Sequence, residues 1–98
     1  MAYSECEQYA TYQIARNINM AIPYYLMASY SYYKEDDPIF SDSFFDNLSR
    51  KILKEWDNIT HWHKGLLTKE DLEAGTYLGE YPLRVITGLQ YFRMRFKL

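Results

Sequence analysis

One stretch limits what this chain can become: Tyr32-Tyr33-Lys34-Glu35-Asp36-Asp37-Pro38-Ile39-Phe40-Ser41-Asp42-Ser43-Phe44-Phe45-Asp46. Proline fixes φ and disfavours helix in the residue before it, so Asp36-Asp37-Pro38 marks a break. Ser41 then sits where an N-cap belongs. Asp42 follows in a first turn, where the helix dipole favours negative charge. The stretch therefore reads as the end of one helix, a Pro-anchored loop and the capped start of another. Residues three and four apart share a helix face, so Asp42, Phe45 and Asp46 project together. Tyr32 and Tyr33 can meet that face across the loop. The expected product is a small hollow with aromatic walls and two carboxylates.

On either side of this break the periodicity is helical. Tyr3 to Asn19 lacks Gly and Pro, and Tyr3, Ala10, Ile14 and Ile18 form an apolar stripe. A second helix is expected from Pro23 to about Glu35, because Asn17 and Asn19 weaken helix propensity before the proline. It is apolar on more than one side, which predicts a central packing position or a partner-facing one. From Asp42 to about Asp57, Phe45, Leu48, Ile52 and Trp56 fall on one stripe. Thr68 and Asp71 resemble a capping box ahead of a single short turn closed by Gly75. Pro82 introduces a last helix, Leu83 to Arg95, with Val85, Leu89 and Phe92 on its apolar face. The expectation is an all-α fold: a single domain over residues 1–98, a small bundle of about four helices with an irregular connection near 58–81.

Ninety-eight residues suffice for one modest core. Aromatic residues make up 18% of the chain and eleven of them are tyrosines, which suit thin cores and contact surfaces alike. A net charge of −2 gives no basic field for nucleic acid. Cys6, the one cysteine, has no internal disulfide partner, which fits a reducing cytoplasm. The start, Met-Ala-Tyr-Ser-Glu-Cys-Glu, has neither the basic region nor the apolar run of a secretory signal. No stretch approaches the roughly 20 apolar residues of a membrane span. A cytoplasmic protein without membrane or direct nucleic-acid contacts is expected.

The pattern Tyr32-Tyr33, Asp36, Pro38, Asp42, Phe45-Asp46 and Leu48 resembles the N-terminal helical segment, domain Ia, of NAD-dependent DNA ligases. That family shows Tyr-His, Asp-x-Pro and Asp-x-x-Tyr-Asp-x-Leu at the same spacing. The resemblance covers about residues 22–56, roughly a third of the chain. It implies a helical module that recognises the nicotinamide mononucleotide half of NAD through Tyr32, Tyr33, Asp42, Phe45 and Asp46. Two positions depart: Tyr33 stands where the family has His, and Phe45 where it has Tyr. The family's adenylated lysine lies in Lys-x-Asp-Gly, and no such motif occurs here. The resemblance thus implies a non-catalytic, free-standing module, of a kind a bacteriophage would encode in its host's cytoplasm. It would be accessory to DNA ligation, with NAD or the mononucleotide as ligand and a ligase or host protein as partner.

Each of these residues also has a plain structural reading. Phe45 lies on the core stripe, Asp42 complements a helix dipole, and Asp46 suits a surface ion pair. Tyr32 and Tyr33 belong to a run of tyrosines, which in a repurposed scaffold would form a protein-binding face. His61 and His63 stand two apart, a spacing unlike the i, i+4 pairs of metal-binding helices, so no metal is expected. Arg84, Arg93, Arg95 and Lys97 read as favourable charge at a helix C-terminus.

Overall fold

The computed structural model describes residues 2–75, 77 and 79–98, with the side chains of residues 2 and 3 excluded. Among the described residues five α-helices follow one another: α1 (Ala2–Arg16), α2 (Ala21–Tyr33), α3 (Asp42–Lys54), α4 (Lys69–Ala74) and α5 (Leu83–Phe96). Among the described residues there is no strand. The fold is all-α, as expected. The third helix, expected to reach about Asp57, stops at Lys54 and passes into a 3-10 turn, Trp56–Asn58. The region expected to be irregular carries a second 3-10 turn, Trp62–Leu66, and α4. Thr76 and Leu78 of that region lie outside the described residues.

The helix ends explain the departures from the expected boundaries. α1 stops at Arg16 because the Asn17 side chain accepts the Asn19 N–H and starts a 3-10 turn instead. Pro23 falls in the first turn of α2, where its missing N–H costs nothing. Ser41 is the N-cap of α3, accepting the Phe44 N–H at 3.3 Å. Thr68 and Asp71 form a reciprocal capping box on α4.

α2 is the central element. Nine of its thirteen residues are buried, and it packs against both α3 and α5. Ala10 and Ile14 of α1, Leu48 and Ile52 of α3, and Val85, Leu89 and Phe92 of α5 close the core around it. Ile18 is partly buried against this core, whereas the Tyr3 side chain lies outside the described residues.

The loop between α2 and α3 is part of the core. Ile39 and Phe40 are buried, and the Phe40 ring meets Tyr24, Phe44 and Phe92 at 6.2, 4.6 and 5.9 Å between centroids. Ser31, fully buried in α2, donates its hydroxyl to the Ala28 carbonyl and accepts the Ile39 N–H at 3.1 Å. The Asp37 N–H returns to the Ser31 carbonyl at 2.8 Å, and the Cys6 thiol donates to the Ile39 carbonyl. Asp36 enters the left-handed region at φ 52°, which a short polar side chain tolerates. Outside the core, Arg93 of α5 pairs with Glu35 at 2.8 Å and with Asp37 at 3.3 Å. Glu7 of α1 accepts the Ser41 N–H at 2.7 Å, placing a carboxylate at the start of α3.

Replacing Ser31 by Ala leaves the buried Ile39 N–H without its acceptor. That lowers unfolding free energy by about 1–3 kcal/mol. Urea denaturation measures the loss, and amide exchange locates it at Ile39; an unchanged midpoint would contradict this account of the loop.

Candidate functional site

Three helix ends meet beside the α2–α3 loop. They enclose a hollow of about 380 Å³ lined by Tyr32, Tyr33, Asp42, Ser43, Phe45, Asp46, Ala74 and Gly75. All five residues singled out from the sequence therefore face one space.

α2 delivers Tyr32 and Tyr33 at its last two positions, before Lys34 caps it and the chain turns away. Both rings are exposed, and they meet edge to face at 4.9 Å and 71°. Such an edge contact leaves ring faces open to a further flat group. Asp42, Phe45 and Asp46 come from the first turns of α3, as their spacing requires. Phe45 is half-buried and stacks on Tyr25, with centroids 4.9 Å apart and planes 13° from parallel. Tyr25 beneath it is fully buried; burial pushes its phenol up to about 12, with the Ser49 and Ser29 hydroxyls acting in the opposite direction. Phe45 is thus a core residue on one side and a wall of the hollow on the other.

Asp46 pairs with Arg50 one turn on, at 2.9 Å, with 56% and 73% of the two side chains exposed. A pair this exposed contributes little to stability and exchanges readily. Asp42 is exposed in the first turn. Among the described residues, no lysine or arginine lines the hollow.

The third side was not legible in the sequence. The Ser49 hydroxyl of α3 donates to the Leu72 carbonyl of α4, docking that short helix alongside. Gly75 then closes α4 with φ 69°, its N–H returning to the Asp71 and Leu72 carbonyls. The Tyr33 hydroxyl lies 3.5 Å from the Gly75 carbonyl. The capping box and glycine signalled a short helix but not its neighbour.

The remaining candidates have local partners. His61 Nδ1 accepts the His63 N–H at 3.0 Å, capping the 3-10 turn at Trp62–Leu66. Among the described residues no three His, Cys, Asp or Glu side chains gather as a metal site. Arg93 and Arg95 lie in the last turn of α5, where Arg93 fixes the α2–α3 loop and Arg95 lies over the Tyr9 ring at 4.4 Å. Arg84, expected with them as C-terminal charge, sits instead in the first turn, over the Trp62 ring at 5.8 Å. Burial of Cys6 pushes its thiol up to about 11, with Glu7 adding to the effect. No helix is long and apolar enough to cross a membrane among the described residues.

Gly75→Ala costs about 1 kcal/mol because alanine is strained in the left-handed region, whereas Gly75→Asn costs less. Thermal unfolding of the two variants tests this order, and equal losses would refute it. His61 gives a pH dependence. Its pKa is lowered from 6.5 by burial and then by His63, so the unfolded chain takes up the proton first as pH falls. The stabilisation is present above about pH 6.5 and is lost as pH falls through the folded-state value. Melting temperature should fall between about pH 7.5 and about pH 5.5, and His61→Gln should flatten that slope. An identical slope in the variant would assign the pH dependence elsewhere.

Comparisons of the chain with protein-family models, with curated proteins and with solved structures give no match.

Proposed function

We propose that this protein is a non-catalytic module that binds the nicotinamide mononucleotide half of NAD in the hollow between α2, α3 and α4. The observation that carries this reading is the convergence of Tyr32, Tyr33, Asp42, Phe45 and Asp46 on one space. At about 380 Å³ it falls within the usual range of small-molecule pockets, about 300–1,000 Å³. Oxidised nicotinamide carries a positively charged pyridinium ring. A cation over aromatic faces as exposed as these gains about 0.5–1 kcal/mol per ring, and nearby carboxylates complement its charge. The same carboxylates accept hydrogen bonds from the carboxamide and the ribose hydroxyls.

Phe45 has no hydroxyl to offer such a ligand, which at about 1 kcal/mol per hydrogen bond favours a weak site over a tight one. The ligase-like pattern in residues 32–48 supports an accessory role in DNA ligation, with the chemistry supplied by a partner chain. A Tyr-rich protein-docking face is the alternative, and the exposure of Tyr32 and Tyr33 suits it. That reading needs a flat patch, however, and these two rings border a concavity.

The test is an NMR titration of the labelled protein with nicotinamide mononucleotide, NAD and AMP in turn. Saturable shifts are expected with the first two and not with AMP, centred on Tyr32, Asp42 and Asp46. Silence at millimolar ligand would reject the nucleotide and leave the scaffold reading.

A further inference from the structure

We infer that the hollow reads the charge of the ring: it takes a flat organic cation such as oxidised, N-substituted nicotinamide, and discriminates against the reduced, uncharged dihydro form. This inference rests on the nicotinamide reading above and narrows it to a ligand class.

The argument begins with the lining. Three aromatic rings and two carboxylates face the space, and the other lining residues, Ser43, Ala74 and Gly75, carry no charge. Aromatic faces attract cations through their quadrupole, and the carboxylates add charge complementarity. Both forces act on the pyridinium. Neither acts comparably on a neutral dihydropyridine of almost the same size, so shape alone cannot separate the two forms in an open hollow.

The phosphate points to the same conclusion. A phosphate site is normally built from arginine, lysine or converging backbone N–H groups. Among the described residues no cationic side chain lines this hollow, and the carboxylates of Asp42 and Asp46 oppose an anion there. Arg50 is the basic side chain tied to the lining, and its guanidinium is paired with Asp46. The ring therefore supplies the main attraction, and the phosphate finds no cationic side chain among the described lining residues. A consequence is that the 1-methylnicotinamide cation, which has no ribose or phosphate, should enter the same hollow.

Arg50 competes with the ligand for Asp46. Removing its charge strengthens the negative field of the hollow, whereas neutralising the aspartates weakens it. Opposite effects of two conservative changes on one ligand distinguish charge reading from a general loss of structure.

The experiment is the NMR titration repeated with oxidised and reduced nicotinamide mononucleotide on the intact chain. Both forms carry the same phosphate, so their affinity ratio isolates the ring. The oxidised form should bind about tenfold more tightly or better. The Asp42→Asn, Asp46→Asn double variant should bring that ratio close to one, and Arg50→Gln should raise it. The 1-methylnicotinamide cation should shift the same resonances, and neutral nicotinamide should not. Equal binding of the two redox forms would overturn charge reading while leaving the nicotinamide site in place. Binding of neither form would overturn both.

Discussion

The Ser31 hydroxyl sets the geometry on which everything at this end of the molecule depends. It is buried in the last turns of α2, donates back to Ala28 and receives the Ile39 N–H, so it joins a helix to the loop that leaves it. A loop driven into a core must find partners for its backbone polar groups. Here α2 offers the Ser31 hydroxyl and carbonyl, and α1 offers the Cys6 thiol and the Glu7 carboxylate. With these made, Ile39 and Phe40 can be buried, and their burial fixes where α3 begins relative to where α2 ends. The aromatic end of one helix and the acidic start of the next are held face to face as a result.

Phe45 shows how a thin core and an open site share one residue. Stacked on buried Tyr25, it fills a gap between α2 and α3 and still presents surface outward. A small domain has few residues to devote to either task alone. The core reading and the ligand reading of Phe45 describe two sides of the same ring, so position on an apolar stripe does not exclude a role in binding.

What could be read from the chain follows from how local each feature is. The Asp36-Asp37-Pro38 break, the Ser41 cap and the face shared by Asp42, Phe45 and Asp46 arise within a few residues, and all are present. Ile39 and Phe40 were not legible as core, because an apolar pair between proline and serine looks like any exposed turn. The α4 wall was not legible either, since it depends on a bond from Ser49 to a carbonyl far along the chain. Arg93 looked like ordinary charge at a helix end. Its clamp on Glu35 and Asp37 exists only because α5 packs back across α2.

The thiol under the loop has a practical consequence. Cys6 is fully buried, holds the Ile39 carbonyl and is a poor nucleophile while folded, with its pKa pushed up to about 11. An alkylating reagent reaches it only when the loop lifts and the thiolate can form. Its labelling rate is therefore a clock for that opening. Because the loop carries the two faces of the hollow, the clock also counts how often they part, and a ligand spanning both would slow it.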